Sequence, residues 1–402
     1  MSNIRPFQIH VEDAELDRIK RRIADYEWFE EPVDAGWDYG CNQAVLRELC
    51  DYWLNEYDWR QEETTLNAMP QFLAEVDGID IHFFHEKGSN PDNRPIILLH
   101  GWPGSFLELT PVIDPLAHPE KYGGNAEDGR DVIVPSLIGY GFSGKPDKPM
   151  GPRAMGGYFD RLMTEVLGYD SYIAQGGDWG GLICNWMGFD FGEDKGGKLH
   201  AIHVNLIGVR PAGKGTSPTG AAGILAAETE EEKRWEQEAM GRFAFESAYF
   251  QVQATKPQSL SYAMMDSPVG VAAWLTEKFH TWSDLSGKGE PGGNLWNTYT
   301  KDQLLSSIML YVVTRRFNTA AWNYYGGRVE NAFVFPEGAR VEIPVGVGSY
   351  PREIAPVPPR SYCEKAYNVV RYTEQPKGGH FAAFEQPELF LEDVTEFLRD
   401  FG

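Results

Sequence analysis

The sequence predicts an α/β fold built on a mostly parallel central sheet, with a block of helices inserted into it. Two observations predict this. Short, nearly uninterrupted apolar runs recur at Ile96 to Leu99, Asp131 to Val134, Tyr172 to Gln175, Ala201 to Asn205, Val341 to Val347 and Val369 to Tyr372, with helical or loop material between most of them. Runs of this kind suit strands covered on both faces. The rhythm then lapses between Arg210 and Gly327, where charged helical stretches such as Glu228 to Arg242 lie between Pro/Gly-rich loops at 211–223 and 287–293. It resumes at Val341, so the sheet domain is split in sequence by a helical cap. The resulting division is an N-terminal extension at 1–90, a first core segment at 91–209, the cap at 210–330 and a second core segment at 331–402.

Along the chain, Leu16, Ile19, Ile23 and Tyr26 recur at helical spacing among charges, and Val45, Leu46, Leu49 and Trp53 repeat the pattern, giving two opening amphipathic helices. Asp77-Gly78 ahead of the alternating Ile79, Ile81 and Phe83 reads as a hairpin turn. Pro344 conflicts with a regular central strand, because it cannot donate to a ladder.

The 402 residues carry 36 Lys+Arg against 59 Asp+Glu, a net charge of −23. Such a balance repels phosphate backbones and anionic headgroups, which excludes nucleic acid and membrane surfaces as expected partners. Cys41, Cys50, Cys184 and Cys363 have no CxxC spacing, so neither a disulfide framework nor a metal site is expected. The N-terminus lacks the apolar core of a secretory signal, and no apolar run reaches membrane-spanning length. The expectation is a cytoplasmic protein without a membrane anchor.

The most informative segment is Tyr172-Ile173-Ala174-Gln175-Gly176-Gly177-Asp178-Trp179-Gly180-Gly181. A strand, a residue flanked by small residues at −2, +2 and +3, and then an apolar helix is the layout of a nucleophile elbow, here with Asp178 in the nucleophile's place. The glycines are needed where strand and helix pack with no room for Cβ atoms. A helix N-cap after a glycine turn is the competing reading of Asp178. A carboxylate nucleophile narrows the chemistry. Attack on an ester or amide would give an anhydride less stable than the substrate, whereas attack on a saturated carbon gives an ordinary ester. Strained ethers and carbon–halogen bonds are therefore the candidate substrates.

His100-Gly101-Trp102-Pro103 ends a strand with a loop whose backbone N–H, at Trp102, joins that of Trp179 in an oxyanion hole. His380, after the last strand and before the terminal helix, holds the base's place in the order nucleophile, acid, base, and Glu353 follows the preceding strand as the orienting acid. His100, at a strand end before glycine, reads as structural. Gly139 to Gly144 matches GxGxxG, yet Pro146, Pro149 and Pro152 follow where a dinucleotide fold needs a helix, so no cofactor is expected there. His82 with His85, and His200 with His203, point to opposite faces of strands and cannot share a metal.

At Gly177-Asp178-Trp179-Gly180-Gly181, His100-Gly101-Trp102-Pro103, Glu353 and His380, the chain resembles the epoxide hydrolases of the α/β-hydrolase fold, most closely the microsomal type and its soluble fungal and bacterial relatives. The likeness reaches forward to Arg5-Pro6-Phe7, Leu16 to Arg22, Tyr52-Trp53 and Leu66 to Phe72, similar to the family's N-terminal domain, which implies an extension packed on the core. It implies that two cap tyrosines, Tyr249 and Tyr324, polarise the epoxide oxygen, since an alkoxide is a poor leaving group and a phenol can donate to it. It also implies a hydrophobic epoxide and water as the only reactants, no cofactor, and a homodimer. A haloalkane dehalogenase with the same nucleophile is the second reading, although departing halide needs no proton donor. A catalytically inactive binding module on the same fold is the third.

Overall fold

The computed structural model describes residues 4–216 and 222–401. The chain enters with β1 (Arg5–Pro6), β2 (Gln71–Val76), β3 (Ile79–Glu86), β4 (Ile96–Leu99), β5 (Val132–Pro135), β6 (Tyr172–Gly176) and β7 (Leu199–Val204). Next come β8 (Ala212–Thr216) and β9 (Ala222–Ile224), a separate two-stranded ribbon, and then β10 (Val341–Ser349) and β11 (Tyr367–Glu374). Among the described residues the main sheet has nine strands in the order β1-β2-β3-β5-β4-β6-β7-β10-β11. From β5 to β11 every pairing is parallel, while β1, β2 and β3 add an antiparallel edge. This is the α/β-hydrolase arrangement, with a mostly parallel sheet and helices on its faces.

Each expected strand is present; the one at Ile96–Leu99 has the expected ends, and the other five differ by a residue or more at one end or both. Asp77 and Gly78, at φ 47° and 79°, make the tight turn that pairs Val76 with Ile79. Pro344 is accommodated by a register irregularity against β11, and the pairing of β10 with β7 begins only at Val345. The missing N–H therefore falls where the central ladder does not need it. Sequence patterning had no signal for β1, which is two residues long, or for the ribbon of β8 and β9.

The opening helices Asp13–Ala24 and Gln43–Asn55 bury Ile19, Ile23, Leu46, Leu49 and Trp53. Asn42 caps the second through its side-chain oxygen, which accepts from the Ala44 and Val45 N–H groups. The extension joins the core through β1 to β3, but its helices brace the inserted ones. Tyr57 and Ser306 share a buried 3.0 Å hydrogen bond, and Arg22 pairs with Asp266. The insertion comprises Glu230–Glu246, Ala248–Thr255, Pro257–Met264, Pro268–Trp282, Lys301–Thr314 and Phe317–Val329, with one short helix between. Its entry and exit are pinned together: Arg210 N–H donates to Phe333 O and Phe335 N–H to Arg210 O, each at 2.9 Å. The Gly139 to Gly144 loop docks on this insertion, with Tyr140 Oη donating to Ala320 O at 3.2 Å. No helix among the described residues is long and apolar enough to cross a membrane.

Candidate active site

Asp178, Trp102, Glu353 and His380 all lie on connections leaving the carboxyl ends of parallel strands, where open α/β sheets bind their ligands. β6 delivers Asp178. It sits in the left-handed region at φ 45° and opens the helix Asp178–Phe191. A non-glycine residue held there costs about 1–3 kcal/mol, which the surrounding packing must offset. The packing is tight. A Cβ on Gly180 would stand 1.9 Å from Leu99 O, and one on Gly176 would stand 2.4 Å from the Gly180 backbone.

The loop after β4 brings the Trp102 N–H to within 2.7 Å of Asp178 Oδ1. His380 Nε2 stands 3.4 Å from Asp178 Oδ2, and its Nδ1 stands 2.8 Å from Glu353 Oε1. Glu353 is 1% exposed and also accepts from Ala355 N–H at 3.1 Å. The His380 imidazole is buried, which by itself favours the neutral ring. The flanking carboxylates of Glu353 and Asp178 outweigh this and raise its pKa well above the ordinary histidine value.

Among the inserted helices, Ala248–Thr255 supplies Tyr249 and Phe317–Val329 supplies Tyr324. Tyr249 stacks on Trp102 at 5.1 Å between ring centroids, and Tyr324 packs edge-on against Trp179 at 4.8 Å. Tyr324 is 1% exposed whereas the adjacent Tyr325 is 39% exposed, which separates the two neighbours. The Tyr324 hydroxyl is buried with no hydrogen-bond partner among the described residues. Burial, and then the Asp178 charge, push the Tyr249 phenol well above its usual pKa, and burial does the same to Tyr324. Both remain protonated donors. Asp178, Tyr249, Tyr324 and His380 line one largely apolar cavity.

The decoys separate from this group. His100 Nδ1 faces Gly101 O at 3.0 Å and its Nε2 receives the Leu137 N–H at 3.1 Å. Burial pushes His100 down to about 4, so it is a neutral strut. His82 bridges Ser136 and Gln71, His85 meets Tyr169, His200 meets Glu193 and His203 meets Asp393.

Sequence reading missed three residues here. Glu385 Oε2 accepts from the Asp284 and Gly379 N–H groups at 2.7 and 2.9 Å, and its Oε1 accepts from Phe381 N–H at 2.9 Å, clamping the turn that carries His380. Burial raises Glu385 to about 7. Glu108 caps the short turn after Ser105, accepting from that residue's N–H at 3.0 Å. It lines a small compartment behind Asp178 with Gln175, Asn205 and His380. Burial there lifts it to about 8. Arg210, where the chain enters the inserted helices, lines the cavity that Asp178 and His380 also line. The glutamates belong to no motif, and their proximity exists only once the strands are assembled.

Residues 4–109 match the family described as Epoxide hydrolase N terminus, and residues 94–194 match the alpha/beta hydrolase fold. Epoxide hydrolase 1 of Sus scrofa is 33% identical over 98% of this chain and 88% of its own length. The chain belongs to the epoxide hydrolases. The rabbit (Oryctolagus cuniculus) Epoxide hydrolase 1 is 32% identical over 98% of this chain and 89% of its own length. The crystal structure of Aspergillus niger epoxide hydrolase superposes with a TM-score of 0.81 at 29% identity, covering 99% of this chain and 96% of that one. This epoxide hydrolase hydrolyses an epoxide with water, and neither a dehalogenase nor an inactive binding module has support in these likenesses.

Proposed function

We propose that this epoxide hydrolase works through a covalent ester on Asp178, formed by ring opening from the cap side and hydrolysed from the core side. The observation that carries the reading is the placement of one carboxylate between two sets of groups, a His380–Glu353 pair and a pair of buried phenols. Asp178 Oδ1, held by the Trp102 N–H, is the oxygen that becomes the ester carbonyl, and Oδ2 attacks carbon. Tyr249 and Tyr324 donate to the epoxide oxygen, and the alkoxide leaves with a proton. Ester formation removes the Asp178 charge, which is one of the causes holding a proton on His380. The imidazole then loses that proton, balancing the one taken by the alkoxide, and becomes a base for water. Glu353 keeps it oriented and stabilises its returning positive charge. Water attacks the ester carbon, the oxyanion rests on the Trp102 and Trp179 N–H groups, and the diol leaves. The compartment beside Glu108 and Gln175 supports a water site there, since the Gln175 side-chain oxygen is buried with no partner among the described residues.

The substrate side is largely apolar, which supports a hydrophobic epoxide. The insertion at 210–330 is the cap and 1–90 the extension, in this reading. All four cysteines are free, which supports the reducing cytoplasm. The family resemblance supports a homodimer, which sedimentation equilibrium tests. The mechanism is tested with His380→Gln, which should open the ring but not release it. Mixed with styrene oxide, the variant should gain one substrate mass by intact-protein mass spectrometry, mapped to Asp178. Turnover at the wild-type rate, or an adduct on another carboxylate, would overturn the assignment.

A further inference from the structure

Among the residues lining the cavity around Asp178, Arg210 is the permanent cation, and its charge has no visible counterpart there. It is 8% exposed, and its guanidinium lies over the Trp235 ring at 4.7 Å and near the Tyr362 ring at 5.9 Å. No carboxylate among the described residues stands within ion-pair distance of it, the Glu236 charge acting only from farther off, and its Nη1 is buried with no hydrogen-bond partner among them. Lys365 is matched by Glu228 and Glu232 and Arg371 by Asp393, whereas Arg130 and Arg316, like Arg210, keep a buried nitrogen without a partner among the described residues but do not line the cavity around Asp178. A buried, unpaired charge is costly unless something compensates it, and ring faces replace only part of the lost hydration.

The location sharpens the point. Arg210 lines the same cavity as Asp178, Tyr249, Tyr324 and His380, with Ala239, Phe243 and Ile354 among the other wall residues. Its backbone is fixed by the paired entry and exit of the cap, so the cation is anchored on rigid structure. The rest of that wall is apolar and aromatic. The cavity thus carries a carboxylate and two phenols at one place, an apolar wall for a chain, and in that wall an Arg210 side chain whose guanidinium has a nitrogen without a partner among the described residues.

We propose that Arg210 is a carboxylate subsite, and that the substrates of this enzyme include epoxides carrying a carboxylate at the end of an apolar chain. The guanidinium matches a carboxylate through two parallel N–H donors and is already desolvated, so little is lost on binding. The molecule's net negative charge disfavours anions at its surface. Selection of an acid therefore has to be local, and Arg210 is the local source.

This rests on the cavity around Asp178 being the substrate site, and the test is chosen to separate the two. Octanoate and octanamide, matched in shape and unable to react, are titrated into the wild-type protein by calorimetry, so the readout does not need turnover. Octanoate should bind at least tenfold more tightly and should inhibit styrene oxide hydrolysis competitively. In Arg210→Met the preference for octanoate over octanamide should disappear, and in Arg210→Lys part of it should remain. As a turnover arm, the ratio of kcat/KM for an ω-epoxy fatty acid over its methyl ester should fall at least tenfold in Arg210→Met, whatever the absolute rates. Equal binding of octanoate and octanamide to the wild type would overturn the proposal, as would a preference that survives in Arg210→Met. Octanoate binding without competition against styrene oxide would place the anion site elsewhere and overturn it too. Absence of diol release with intact octanoate selectivity would instead count against the catalytic reading alone.

Discussion

The two sides of the Asp178 carboxylate are built differently. On the core side the polar groups are engaged with one another: Trp102 N–H on Oδ1, His380 between Asp178 and Glu353, and the His380 turn clamped by Glu385. On the cap side the phenols of Tyr249 and Tyr324 are held by ring packing, and the Tyr324 hydroxyl has no partner among the described residues. The contrast shows what each side waits for. The core side is organised before any ligand arrives, so it pays no reorganisation at the moment of reaction. The cap side keeps donor capacity unspent, and a buried unsatisfied donor gains most when an acceptor arrives.

The comparison breaks most visibly at its hinge. Asp178→Asn keeps shape and removes charge, and initial diol formation should fall on the order of 10⁴-fold or more. His380, relieved of one carboxylate, should titrate at lower pH than in the wild type, which the imidazole ¹H shift in NMR would report. Full and stable activity without deamidation back to Asp would rule out the covalent route.

A cap-side test comes next in size. Tyr249→Phe or Tyr324→Phe should each slow ester formation roughly 10²-fold, within the range for losing one donor to a developing oxyanion, and the double variant should nearly abolish it. Stopped-flow tryptophan fluorescence separates formation from hydrolysis, and hydrolysis should be little changed. Should the double variant form ester at the wild-type rate, the oxygen's donors lie elsewhere.

The smallest effect sharpens the core side. Glu108 is raised to about 8 by burial, so it is a neutral acid at pH 7 and ionises as pH rises through that value. A new charge beside Asp178 and His380 should depress the rate above pH 8. Glu108→Gln, fixed neutral, should match the wild type near pH 7 and lose a few-fold less activity at pH 9. Identical alkaline limbs in the two pH–rate profiles would remove Glu108 from that role.

Much of this was legible in the residues because the elbow imposes a local rule. Gly176, Gly180 and Gly181 are required by contacts made within a few residues of Asp178 and with the strand beside it, so the motif is written contiguously. Glu353 and His380 followed from chain order. Tyr249 and Tyr324 were reachable only through the family resemblance, because one tyrosine on an apolar helix carries no mark of what its hydroxyl faces. Glu108, Glu385 and Arg210 were out of reach. Their significance lies in which partners they lack or share after β4, β7 and β11 are brought together, and neither propensity nor periodicity encodes that. The N-terminal helices were read correctly as amphipathic, but the surface that covers them belongs to the insertion and so could not be named from their own pattern.

The hydrogen-bonded crossing of the cap's two ends also bears on how the chain finds its fold. β7 and β10 are register partners in the central sheet, with Val204 opposite Val347, although the whole insertion lies between them in sequence. If the sheet had to close that stretch as an open coil, its pairing would carry the full entropy of a very long loop. Once Arg210 and Phe333 to Phe335 are joined, the span still to be closed is about an eighth as long, and the saving is roughly 2 kcal/mol. A cap that zips at its base first therefore turns a distant strand pairing into a nearly local one, and sheet completion waits on the insertion rather than being delayed by it.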